Sequence, residues 1–412
     1  MSAEPAGNED FGQQQRTFRL ELARALPNGF VETASTTFVL FVAIRIFDLP
    51  PMMKALLVAA TSIGLLLSLF LVQIARRLGR SVNRFAALNW LLAALGFGLA
   101  AVSEGRPGVY FSGCMLAFIS LGMGAPLISQ IYRKHYPDRT RGHLFSLTAM
   151  TRASTAGLVG WGGGLWMATR DGSFSPLFGA YAVACLMMAG CVSAMAPVVL
   201  RRSNRLKWFD AFRHVASDRP FRKLLIVWMI LGFGNLAAFA LLVEFISNPV
   251  YGYDLGADRV GMLTSTIPML VFIACVVPWG IVFDRLPFYR VRALVNLFFI
   301  GGILTYYLGG SWLTLCIGMA LYGVARSGGN ILWTLWVTRF ADAERVVEYM
   351  SVHSFLTGVR GVIAPIVAFA AVEHLGPSTV AWTAAALIVL GTVALTPELI
   401  AETRAQREKP AV

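Results

Sequence analysis

The chain has 412 residues, 57% hydrophobic and 14% charged, with a formal net charge of +13 at pH 7. A soluble domain carries about a quarter charged residues, so a single water-soluble globule is excluded. The Lys and Arg residues fall in short segments between apolar runs, a pattern that speaks for membrane topology and against a nucleic-acid surface.

The first 19 residues are polar and hold no apolar core ahead of a cleavage site, which argues against a cleaved signal peptide. Charge-free stretches then follow at 55–75, 85–103, 174–200, 224–243, 260–283 and 293–325. Each is long enough to cross about 30 Å of hydrocarbon. The last is too long for one crossing and breaks at Gly309-Gly310-Ser311. The pattern predicts an all-α membrane protein with twelve spans, at 26–46, 54–75, 84–103, 109–132, 143–168, 175–199, 223–247, 260–283, 291–309, 311–337, 347–372 and 377–396. All five cysteines lie inside apolar runs without metal-ligand spacing, and read as small packing residues. The chain has no Asn-x-Ser/Thr sequon, in keeping with a bacterial membrane.

Charge tests this list. Of 35 Lys and Arg, 27 fall in the two terminal segments and the even-numbered loops. Five fall on the other side (Arg45, Lys54, Arg106, Arg170, Arg259) and three inside spans. A wrong helix count would scramble this alternation. It predicts cytoplasmic termini and a multi-pass protein of the bacterial inner membrane.

The longest polar stretch between spans is a basic linker at 201–222, with six spans on each side. It divides the chain into an N-terminal bundle (1–200) and a C-terminal bundle with a short tail (223–412). The halves echo each other. Phe18-Arg19, ahead of Gly29-Phe30, recurs as Phe221-Arg222 ahead of Gly232-Phe233. Glu32 corresponds to Asn235, and Asn89 to Asn296. Pro137-Asp138-Arg139-Thr140-Arg141 corresponds to Ala341-Asp342-Ala343-Glu344-Arg345. All these matches fall at offsets of 203 to 207. A parallel repeat of six helices is one of the builds of secondary transporters.

Short motifs sharpen this. Gly280-Ile281-Val282-Phe283-Asp284-Arg285 follows helix 8, and a weaker partner, Arg76-Arg77-Leu78-Gly79-Arg80, follows helix 2. Pro137 to Gly142 reads Pro-x-x-x-Arg-Gly before a glycine-rich helix 5. From about residue 16 to 398 the chain resembles the major facilitator superfamily, which carries these motifs at these places. The match is incomplete: Val72 replaces the first Gly of the helix 2 motif, Arg76 its Asp, and Pro287 a second Gly after helix 8. The resemblance implies two pseudo-symmetric six-helix bundles. Helices 1, 4, 7 and 10 would line a central cavity, helices 2, 5, 8 and 11 would flank it, and helices 3, 6, 9 and 12 would face lipid. The resemblance also makes Asp284 and Arg285 a gating loop.

Few charges lie within the predicted spans. Glu32, Arg152, Glu244, Arg326 and Arg360 fall on inner or flanking helices, and Arg292 at the extreme end of helix 9. An arginine at mid-membrane costs roughly 2.5–3.5 kcal/mol, so each needs water, an anion or a carboxylate. Asn330 and Trp333 follow Arg326 on one helical face, and His353 precedes Arg360 on another. The spacing predicts a basic and aromatic wall of Arg326, Arg360, Arg152, Asn330 and Trp333, with Asn235 as a further polar contact, for a carboxylate-bearing solute. The plainer alternative is that these arginines pair with carboxylates or helix-end carbonyls and only hold helices together. Glu32 is the proton-carrier candidate, His353 a possible relay, and Glu244 a rim charge.

No Ser, Cys and His nucleophile set, HExxH motif or nucleotide loop is present, so no enzyme or cofactor is expected. The expected function is secondary active transport, by alternating access, of a small organic and anionic solute with a proton or another coupling ion. The protein is expected to act as a monomer in the lipid bilayer. An exporter of amphipathic compounds and a non-transporting sensor or assembly factor are the alternatives.

Overall fold

The computed structural model describes residues 6–136, 138–170, 173–200, 208–335 and 346–407. Twelve long helices account for most of them. Helix α1 runs over Ala6–Thr33 and continues through a π-helical turn, Ala34–Phe38, into Val39–Arg45. Then come α2 (Pro51–Leu78), α3 (Val82–Ala101), α4 (Pro107–His135), α5 (Asp138–Ala168) and α6 (Ser175–Ala194). A short helix, Trp208–Ser217, precedes α7, which spans Arg219–Ala240 and Leu242–Ser247. Helix α8 comprises Ala257–Gly261, a second π-helical turn at Met262–Thr266, and Ile267–Arg285. Helices α9 (Phe288–Leu308) and α10 (Trp312–Leu335) follow. The segment Val346–Ala394 turns at Gly376, whose φ of 74° breaks it into α11 and α12. Helix α13 (Thr396–Arg407) ends the described chain. No strand occurs among the described residues; Ser81 and Val199 form one isolated bridge.

The helices lie where the apolar runs predicted them, with one difference. Helix α1 starts at Ala6, some twenty residues before the predicted span at 26. That extension is mostly polar and buries Thr17, Glu21 and Arg24. By length and hydropathy alone, eight described segments qualify as membrane crossings, one of them the whole of Tyr349–Ala394.

Contacts divide the chain into two compact units. One comprises Met1–Leu206 with Gly256–Gly261, the other Lys207–Leu255 with Met262–Val412. Each is built by the same pairings. In the first, α1 packs on α5 and α6, α4 on α2 and α3, and α3 on α6. In the second, α7 packs on the α11–α12 segment, α10 on α8 and α9, and α9 on the α11–α12 segment. The repeat read from scattered residues is therefore a repeat of packing.

Interruptions of the helices are satisfied by side chains, as backbone inside hydrocarbon must be. Tyr110 of α4 donates to the carbonyl of Val39, just past the π turn of α1 (2.7 Å). In the second unit α7 is interrupted at Leu241. Tyr307 and Tyr306 of α9 donate to the carbonyls of Ala238 and Leu242 on either side (2.5 and 2.9 Å). Each tyrosine also buries a large ring in its unit's aromatic core.

Candidate functional site

In the first unit the structure joins two of the predicted residues. Arg152 of α5 donates from Nη1 to Oε2 of Glu32 on α1, 2.5 Å apart. Helices α1 and α5 approach closely because Gly29, one turn before Glu32, lies against the backbone carbonyl of Arg152. A side chain at Gly29 would push the helices apart. The Glu32 side chain is 10% exposed and that of Arg152 29%, so the pair is shielded but not sealed. The π turn begins two residues after Glu32. Ser35 and Thr36 donate their hydroxyls to the Glu32 carbonyl (2.9 and 3.2 Å), which supplies bonds where the helical ladder is widened. Thr33 shares a hydrogen bond of 2.8 Å with Tyr181 of α6. Such turns are frequent at functional sites. In this structure Arg152 is thus paired with a carboxylate.

In the second unit the predicted wall divides. Arg326 is half-buried on α10, with Nη1 3.9 Å from Sδ of Met269 on α8. Asn330, one turn further on, is also half-buried, and Trp333 is exposed. Arg360 and His353 belong elsewhere. Both are buried where α11 packs on α7, and Arg360 donates to the backbone carbonyl of Trp228. The slot exists because residue 232 is glycine: a Cβ there would sit inside the Arg360 guanidinium. The ring of His353 meets that of Trp228 at 5.4 Å and that of Trp333 at 5.7 Å. Arg360 and His353 therefore do not share an open face with Arg326. Asn235 is buried too, its Oδ1 sealed without a hydrogen bond among the described residues. Glu244, expected at a rim, is buried and accepts a 2.8 Å hydrogen bond from Asn248.

Asp284 and Arg285 end α8 with exposed side chains. Pro137, the linker over 201–207 and the 341–345 repeat partner lie outside the described residues.

Sequence reasoning missed two buried groups. Arg292, placed at a helix end, is 3% exposed and lies over the Trp228 ring at 4.3 Å. In the first unit Arg24, placed in the N-terminal segment, is gripped by Glu21 through Nε and Nη2 (2.8 and 2.7 Å) and by the hydroxyl of Tyr132 (3.1 Å). The i, i+3 spacing of Glu21 and Arg24 was a signal for that pair. Nothing in the sequence ties Arg292 to Trp228.

The slot at Gly232 makes a measurable prediction. Gly232→Ala overpacks the contact between α7 and α11 and should destabilise the protein by about 1–3 kcal/mol. Thermal unfolding in detergent measures this; an unchanged midpoint contradicts the packing described.

These helices and their internal charges define a polytopic α-helical membrane protein built from two like units. Comparison with known proteins extends this. Residues 245–411 match a family model described as Major Facilitator Superfamily. The fold is similar to that of the nucleoside transporter NupG, with a TM-score of 0.71 and 13% identity over 93% of this chain and 98% of that one. It is also similar to the xylose transporter XylE from E. coli in a partially occluded inward open conformation (TM-score 0.65, 13% identity, 94% and 97% covered). A third likeness is to the transporter FucP in the outward conformation (TM-score 0.63, 13% identity, 92% and 97% covered). No curated protein matches the chain in sequence. The C-terminal part of the chain thus matches the major facilitator superfamily in sequence, and the chain as a whole shares the fold of these transporters.

Proposed function

We propose that the protein is a secondary active transporter that moves a small anionic organic solute together with a proton. The observation that carries this reading is the Glu32–Arg152 pair, shielded on two membrane-length helices beside a π-helical turn. A pair so placed can exchange partners. A solute carboxylate that takes Arg152 draws a countercharge away from Glu32, which favours the protonated form of that carboxyl. Solute and proton then load together. In the second unit, Arg326 and Asn330, half-buried on α10, offer a guanidinium and an amide suited to a carboxylate. The similar structures include one described as a D-xylose-proton symporter, which supports a carrier coupled to a proton. Both termini lie in the cytoplasm of a bacterial cell in this reading, in keeping with the alternation of Lys and Arg.

A thermal-shift screen of organic anions and their neutral analogues, on purified protein in detergent, tests the reading. A ligand at 100 times its dissociation constant stabilises the native state by about 2.7 kcal/mol. The expected hits are carboxylates, with binding tighter at low pH. Hits confined to neutral or cationic amphipathic compounds would overturn it in favour of an exporter.

A further inference from the structure

The two units treat buried arginine differently. In the first, Arg24 lies 5.3 Å from the Trp90 ring centroid and has its countercharge beside it in Glu21. In the second, the arrangement is exchanged between helices and no such countercharge stands among the described residues. At an offset of 204, Arg24 corresponds to Trp228 and Glu21 to Leu225. Trp228 is attended by two guanidiniums, Arg292 over its ring and Arg360 on its carbonyl. Both cations thus bear on one residue, where like charges repel. Both are more than nine-tenths buried, and the Nε of each is sealed with no acceptor among the described residues.

No carboxylate among the described residues forms an ion pair with either. Three acidic side chains described on the surrounding helices are engaged elsewhere. Asp218 caps α7 through the N–H of Phe221 and accepts from the Tyr349 hydroxyl. Glu402 accepts from the N–H groups of Phe288 and Tyr289 at the start of α9, and Glu398 pairs with Lys223. The other nearby ionisable group, His353, adds no negative charge. Burial of two like charges without a counterion is among the most costly arrangements in a protein.

We propose that Arg292 and Arg360 together hold a phosphate-type oxyanion, against the Trp228 and His353 rings. Two guanidiniums carry ten N–H donors, one of which the Trp228 carbonyl takes, and their forked pairs suit tetrahedral oxyanions. A phosphate dianion would balance both charges at once. The phosphodiester of an anionic phospholipid offers the same oxygens with one charge fewer. The site is distinct from the Glu32–Arg152 pair and does not rest on the transport reading, since it can be measured without any transported solute.

The test uses the full-length protein in a neutral detergent. Thermal unfolding is followed against inorganic phosphate, with chloride at matched ionic strength as reference, and native mass spectrometry reports bound phospholipid. The expected result is a midpoint that rises with phosphate and saturates, or, if lipid fills the site, a phospholipid retained one to one whose removal restores the phosphate response. Arg292→Lys keeps the charge but loses the fork, and should weaken phosphate binding on the order of tenfold. Arg292→Gln should abolish the response. Because it also relieves the repulsion, it should unfold no earlier than wild type in chloride, whereas loss of a merely structural arginine would lower that midpoint. Arg77→Gln, exposed near the end of α2, should keep the phosphate response. Equal midpoints in phosphate and chloride for lipid-free wild type would overturn the proposal. So would a phosphate response that Arg292→Lys and Arg292→Gln leave unchanged.

Discussion

Glu32→Gln should abolish net uptake driven by a pH gradient while exchange of labelled for unlabelled solute survives. Glutamine keeps the size and much of the hydrogen bonding of Glu32 but fixes the neutral state. Net symport requires the carrier to release its proton on each turn, and exchange does not. The structure adds a consequence for stability. The substitution removes the partner of Arg152, whose side chain is 29% exposed, while Glu32 is 10% exposed. The loss should fall between the values for surface and buried pairs, about 1–3 kcal/mol. Arg152→Gln should cost a similar amount, and the double variant should cost less than the sum of the two. Uptake into proteoliposomes of the solute found by ligand screening measures the first part, and denaturant unfolding the second. If Glu32→Gln still concentrates solute against its gradient, Glu32 is not the carrier, and a relay through His353 or coupling to another ion becomes the better account.

The second large effect is expected at Arg326. It is half-buried on α10, with Nη1 3.9 Å from Sδ of Met269. A hydrogen bond to a charged group contributes about 1.5–3 kcal/mol, so Arg326→Gln should weaken solute binding about 10- to 150-fold and abolish uptake at ordinary concentrations. Arg326→Lys should fall between, because a point charge cannot reproduce the guanidinium fork. Binding by calorimetry, with expression and unfolding midpoint as controls, separates this from misfolding. Wild-type uptake in the glutamine variant would remove Arg326 from the site.

The twelve helices and the repeat were legible because a bilayer imposes length and hydropathy on each span separately, and each run carries its own signal. The start of α1 was not. Its first twenty residues are polar, and they are helical because Glu21 and Arg24 bond to each other and to Tyr132 on α4, a partner 108 residues from Arg24. The sites followed the same division. Sequence picked out Glu32 and Arg152 as charges inside helices, but their pairing over 120 residues depends on how α1 and α5 meet at Gly29. Arg360 and His353 were found and given the wrong surroundings, because helical periodicity shows that residues share a face without showing what covers it. Arg292 looked like an ordinary helix-end charge. It is buried because α9 starts at Phe288, one turn earlier, and the Trp228 ring lies over it. The π-helical turns left no signal in composition, although Pro268, just after the second, has no N–H to continue an ordinary ladder.

The claim at the centre of this account is that Glu32 changes charge during the working cycle. Infrared difference spectroscopy of the purified protein, recorded across a pH titration with and without solute, reads that carboxyl directly. The account predicts a protonated-carboxyl band that grows when an anionic solute binds and is absent from Glu32→Gln. A solute-induced band of equal size in wild type and Glu32→Gln, or none in a wild type that binds solute, would contradict it.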